Sequence, residues 1–190
     1  MDTKKLNIKG IVRPESKRLM GHPEYVVSIR DWTTYQFKPY GRNSKYFRAL
    51  AEEKKILATR CKKHGFFLPP RPFCPDCQSP DMEWIDYTNQ PAQVKTASIC
   101  KFAGKAFLDE TPFLLGFIQM GEAKTVMSSV VKLSEDPAEN TRMLDRLMDT
   151  RRYMELNGRK VEPRFVPHPQ YTVRDIYFIV TDKEWLNTLK

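Results

Sequence analysis

The sequence predicts a mainly β chain with little helix: a small ribbon, then a five-stranded barrel, preceded by an extended arm and a short helix. Two observations carry most of this. The stretch CKKHGFFLPPRPFCPDC, 61–77, sets two short chelating pairs, Cys61 with His64 and Cys74 with Cys77, on either side of a compact connector. The last hundred residues read as three strands, a helix and two strands, the order of an OB-fold Greek-key barrel.

Two knuckles of soft ligands within bite distance of each other are what a tetrahedral zinc ion requires. Metal–ligand bonds then replace the hydrophobic core that so short a segment cannot build. The competing reading is disulfides or free thiols. It leaves His64 unexplained and needs an oxidising compartment, whereas the opening MDTKKLNIKG is polar and basic, with no apolar signal region. A cytoplasmic location is therefore expected. Cys100, the remaining one of four cysteines, is an alternative fourth ligand, although its apolar surroundings suit a buried small side chain.

The elements follow in order. Residues 1–42 show no sustained period and are broken by Pro14, Pro23 and Pro39, so an extended basic and aromatic arm is expected. Over 43–57, Tyr46, Phe47, Leu50, Lys54 and Leu57 recur at helical spacing, with Asn43 or Ser44 as cap. The ribbon is expected over 58–90, its closing strand in MEWIDYT, and Asn89 to Pro91 mark the boundary to the barrel at 91–190. Barrel strands are expected at 93–102, 112–120 and 123–131, the last two joined by a two-residue Gly121-Glu122 turn. A helix near 137–156 has Asp136 as N-cap, Pro137 first and Glu139 in the capping-box position, and Asn157-Gly158 as its stop. Met143, Leu144, Leu147, Met148 and Met154 form its stripe; methionines at this spacing more often face a core than a ligand. Strands at 159–166 and 171–180 complete the barrel.

Net charge is +9 and unevenly placed. Residues 1–63 hold sixteen Lys or Arg against six Asp or Glu, while the rest holds sixteen against seventeen. Such a field seeks an anion: nucleic acid, a phosphorylated cofactor or an acidic protein. Aromatics among the cations suit base stacking, but they are equally the signature of a protein interface, the reading favoured here. No apolar run is long enough to cross a bilayer.

The quoted residues resemble a family of two-part, acyl-CoA-associated proteins with a rubredoxin-like zinc ribbon and a C-terminal OB-fold. The resemblance rests on Tyr46-Phe47, Cys61 with His64-Gly65, Phe66-Phe67, Pro69-Pro70-Arg71, Cys74-Pro75-x-Cys77 and Trp84, and on Phe107, Asp109 and Pro112 ahead of FLLGFIQM. It covers about residues 43–131, with fold order beyond. His64 departs from the family's second Cys but keeps a metal ligand. The resemblance implies a non-catalytic partner of a thiolase or related condensing enzyme, which supplies the nucleophile. It also implies a hetero-oligomer, expected as a heterotetramer, in which this subunit helps hold or gate a CoA ester. Candidate contacts to the CoA ester are Arg71, Lys101, Lys105 and Phe107. Two other classes remain open: a nucleic-acid-binding ribbon and barrel, disfavoured by the neutral barrel half, and a stand-alone acyltransferase using Cys100, which lacks a neighbouring base.

Overall fold

The computed structural model describes residues 18–19, 22–31, 35–103 and 110–189, with side chains from residue 40 onward. The first elements are β1 (Arg18–Leu19), β2 (His22–Asp31) and β3 (Tyr35–Pro39), an antiparallel sheet in the order β1-β2-β3. Part of the arm expected to be extended thus pairs into strands. Pro23 lies near the start of β2 and Pro39 is the last residue of β3, positions where a missing N–H costs the ladder least.

A short helical segment follows: a 3-10 turn (Gly41–Asn43), α1 (Ser44–Arg48) and a π turn (Ala49–Glu53). The helix expected over 43–57 thus stops at Glu53. Lys54 takes a left-handed φ of 55°, and Ile56 leaves the helix to donate its N–H to Thr88 Oγ1 at 2.9 Å. Strand β4 (Leu57–Cys61) then pairs on one side with β5 (Gly65–Phe67) and on the other with β6 (Glu83–Asp86), giving the ribbon its three antiparallel strands.

The barrel is closed in the order β10-β11-β9-β8-β7, formed by β7 (Ala92–Cys100), β8 (Phe113–Met120), β9 (Met127–Lys132), β10 (Lys160–Phe165) and β11 (Ile176–Val180). All its pairings are antiparallel except β9 with β11, the parallel closure of an OB-fold. Gly116 in β8 permits tight packing inside it. A Cβ there would lie 2.6 Å from Val131 Cγ2. Helix α2 (Pro137–Asp149) crosses between β9 and β10 and buries Met143, Leu144 and Leu147. Its start is as read: Asp136 accepts the Glu139 N–H at 2.7 Å with Pro137 in the first turn, while the Glu139 carboxylate turns to the Ser134 hydroxyl at 2.5 Å. Its end is not. Arg151 adopts φ 55°, and a separate 3-10 turn (Arg152–Leu156) follows, so Met154 leaves the stripe and is exposed. Helix α3 (Lys183–Asn187) closes the chain, with Trp185 donating to Glu155 at 2.8 Å.

The core runs through all three parts. Tyr46 and Leu50 of the helical segment, Ile56, Leu68 and Tyr87 of the ribbon, and Ile118, Met127 and Phe178 of the barrel belong to one buried cluster. Fully burying one such side chain contributes about 1.5–3 kcal/mol, so this continuity makes ribbon and barrel one packed unit. The expected two-residue turn after β8 is replaced by a longer connection: Ala123 still bonds back to Met120 and Gln119 of β8, and Lys124 and Thr125 bond to the ribbon. Lys124 N–H donates to Phe66 O at 2.8 Å, Leu68 N–H donates to Thr125 Oγ1 at 3.0 Å, and the Thr125 hydroxyl donates to Leu68 O at 2.9 Å.

Candidate metal centre and coenzyme contacts

The ribbon's two knuckles are built by its own turns. β4 ends on Cys61 and β5 begins at Gly65, directly opposite it, so the turn 61–64 carries His64 back over the Cys61 sulfur. In the second turn, Gln78 N–H donates to Cys74 O at 2.7 Å with Gln78 at φ 58°, and Cys74 N–H donates to Ser79 O at 2.9 Å. Cys61, Phe67 and Cys74 are buried together with Met82 against them, a core too small to hold a fold alone.

The ligand atoms of Cys61, His64, Cys74 and Cys77 all lie within 4.8 Å of one another. Cys61 Sγ is 3.9 Å from Cys77 Sγ and 3.6 Å from His64 Nδ1, and Cys74 Sγ is 3.3 Å from the same nitrogen. Zinc–sulfur bonds of about 2.3 Å and zinc–nitrogen bonds of about 2.0–2.1 Å give tetrahedral edges of roughly 3.5–3.8 Å, so the cluster fits one zinc ion. His64 would bind through Nδ1, leaving Nε2 to carry the proton. Cys100 is outside this group. It sits at the end of β7 opposite Phe113, partly buried.

Electrostatics favour a cation here. The Lys63 and His64 backbone N–H groups, with Cys74 and His64 side chains, bring the Cys61 thiol down to about 6. Cys77 also receives help from the Ser79 N–H, but burial and the neighbouring Cys74 and Cys61 sulfurs outweigh it and raise its thiol. One thiolate forms readily and the next is opposed, the pattern a divalent ion relieves.

The candidate CoA contacts are dispersed. Arg71 is exposed at the ribbon tip, with its backbone N–H held by Thr59 Oγ1 at 2.8 Å. Lys101 lines an open cavity of about 250 Å³ with Thr111, Pro112 and Met148, and Arg71 is not among the lining residues. Lys105 and Phe107 lie outside the described residues. Phe102, which the sequence does not distinguish from its neighbours, follows Lys101 directly and is 93% exposed. Sequence reading also passed over the Lys124–Thr125 tie to the ribbon, for which a surface turn carries no local signal. No described helix is long and apolar enough to cross a membrane.

Residues 48–83 match the family profile of the ChsH2 rubredoxin-like zinc ribbon domain. The chain is 25% identical over 114 residues to a DUF35 domain-containing scaffold protein of Pyrococcus furiosus, covering 60% of this chain and 82% of that one. Among solved structures, the Ltp2-ChsH2(DUF35) aldolase aligns at TM-score 0.50 and 17% identity over 73% of this chain and 93% of that one. A DUF35-family protein of unknown function from Sulfolobus solfataricus aligns at TM-score 0.49 and 15% identity, over 74% and 87%. At 17% identity the match to the aldolase speaks for the fold alone. The chain carries a ChsH2-type zinc ribbon joined to an OB barrel, in a fold similar to that of the Ltp2-ChsH2(DUF35) aldolase.

Proposed function

We propose that this chain is the non-catalytic, zinc-binding subunit of a thiolase-type acyl-CoA complex, docking on the enzyme and helping to hold or gate its CoA ester during thiolytic C–C cleavage or condensation. The observation that carries this is the union of a four-ligand ribbon with an OB barrel in one packed core, in a chain similar to a protein described as a DUF35 scaffold. The Ltp2-ChsH2(DUF35) aldolase, similar to this chain in fold, is an enzyme, which supports a place beside an enzyme for this chain. The specific complex we favour is benzoylsuccinyl-CoA thiolase, of anaerobic toluene breakdown, with this chain as its zinc-finger subunit.

Four side-chain ligands close the metal's shell, so the zinc is structural: it fixes the ribbon and leaves no position for substrate. For the coenzyme, Lys101 at its cavity, Lys105 four residues further along the chain and Arg71 at the ribbon tip are the cations for phosphate, with Phe107, now joined by exposed Phe102, as apolar wall. A charge-assisted phosphate contact contributes about 1.5–3 kcal/mol at best, less when exposed. Lys101→Ala and Lys105→Ala should therefore raise the KM of the assembled enzyme for its CoA ester by roughly three- to tenfold, leaving kcat nearly unchanged, since these groups grip the handle and not the reacting carbon. Unchanged KM in both variants, with assembly intact, would remove the coenzyme role and leave scaffolding.

A further inference from the structure

We infer that the face formed by Arg42, Lys45, Phe73 and Trp84 is the surface on which an acidic protein partner docks. The inference rests on the proposed function for the partner's existence and adds where and by what chemistry it binds.

Arg42, in the 3-10 turn before α1, and Lys45, in α1, are three residues apart and hence on one side of the helical segment. Both are exposed. The Arg42 guanidinium carbon lies 5.5 Å from the centroid of Phe73, and Lys45 Nζ lies 5.4 Å from that of Trp84. The two contacts join the helical segment to the ribbon in a single patch of two rings and two cations. Phe73 is 51% exposed and takes no part in the ribbon's small core of Cys61, Phe67, Cys74 and Met82, so metal binding does not account for it.

The charge of this patch is left over. Of the carboxylates along 41–77, Glu52 is engaged by Arg48, Glu53 by Lys55 and Asp76 by Lys124, while Asp81, Glu83 and Asp86 flank Trp84 further along, Asp86 being held by Thr88. Among the described residues, neither Arg42 nor Lys45 forms an ion pair with a carboxylate. Exposed Phe73 and half-buried Trp84, each under a cation that no carboxylate neutralises, make an anchor for a surface of opposite sign.

The same contacts separate a protein from a nucleic acid. Single-strand binders offer bare rings to bases. Here the chain's own cations lie over both rings, so a base would have to displace them. A guanidinium held against a ring keeps its N–H edge free for a carboxylate, which it grips through two parallel hydrogen bonds.

The test uses the full chain co-expressed with the acyl-CoA enzyme that copurifies with it. Arg42→Glu with Lys45→Glu should weaken the complex by at least about 30-fold, and raising salt from about 50 to 300 mM should weaken the wild-type complex but not the variant's. Zinc content and thermal unfolding show whether the variant is folded. Arg42→Gln with Lys45→Gln, which removes charge without reversing it, should give a smaller loss in the same direction. A carbodiimide, which joins amines to carboxylates in contact, should link Lys45 to an Asp or Glu of the enzyme. A complex that assembles within about twofold of wild type in both double variants, with Lys45 uncrosslinked, overturns this inference alone. Failure of any acyl-CoA enzyme to copurify overturns the proposed function and this inference with it. A twenty-nucleotide single strand that displaces the enzyme from wild type but not from the variant assigns the face to nucleic acid and also overturns it.

Discussion

Replacing Thr125 with Val tests whether ribbon and barrel are one unit. The side chain keeps its shape and loses its hydroxyl, and with it the bonds from Leu68 N–H at 3.0 Å and to Leu68 O at 2.9 Å. Leu68 is fully buried, so both its backbone groups are left without that partner. Each bond contributes about 1 kcal/mol net, and an orphaned buried group costs about 1–3 kcal/mol, so the change should cost roughly 2–4 kcal/mol. For a chain of this size that is a fall in Tm of about 4–16 °C. Lys124→Ala, by contrast, deletes only a half-exposed ion pair to Asp76 and keeps the backbone bond to Phe66, so its cost should stay below about 1 kcal/mol. Thermal unfolding at saturating zinc gives the order, and hydrogen exchange at the Leu68 amide gives the location. A Thr125→Val Tm within about 1 °C of wild type with that amide equally protected, or a larger loss from Lys124→Ala, would refute the reasoning.

Two further outcomes follow from the geometry. His64→Ala should weaken zinc by more than the roughly 10–100-fold that losing an outer-shell partner costs, with the ribbon loosening as metal leaves, because Cys100 stands outside the cluster and offers no replacement. Chelator competition measures it, and zinc held as tightly as in wild type would put another group in the fourth position. At the chain's end, hydrogen bonds from Arg152 and Trp185 hold the Glu155 carboxyl down to about 2. A depressed carboxyl stabilises the fold above its unfolded value and loses that contribution as pH falls through the folded one. The stability gap between wild type and Glu155→Gln should therefore be full near neutral pH and close between about pH 4.5 and 2, as read by denaturant unfolding at each pH; a gap independent of pH would mean that the bonds from Arg152 and Trp185 do not depend on the carboxylate's charge.

The cluster of Cys61, His64, Cys74 and Cys77 was legible because metal spacing is local: each announces itself within two short turns. Strand order in the barrel was legible for a similar reason, since alternation in FLLGFIQM and IYFIV and the Asp136-Pro137 cap are short-range signals. What stayed hidden depends on distant partners. The turn after Gly121 reads as a tight hairpin until Phe66 and Leu68 claim Lys124 and Thr125. The helix at 43–57 reads as continuous until Ile56 is drawn to Thr88. Met154 fits the α2 stripe until the left-handed Arg151 turns it outward. The Arg42–Phe73 contact was invisible for the same reason: thirty residues separate the two, and only the packed ribbon sets one over the other.

The central claim, a zinc-stapled subunit that works bound to an acyl-CoA enzyme, is tested most directly by native mass spectrometry of the chain co-expressed with its thiolase-type partner. The expected result is a heterotetramer holding one zinc ion for each copy of this chain. A chain that flies alone beside its intended partner, or one that assembles without zinc, would contradict it.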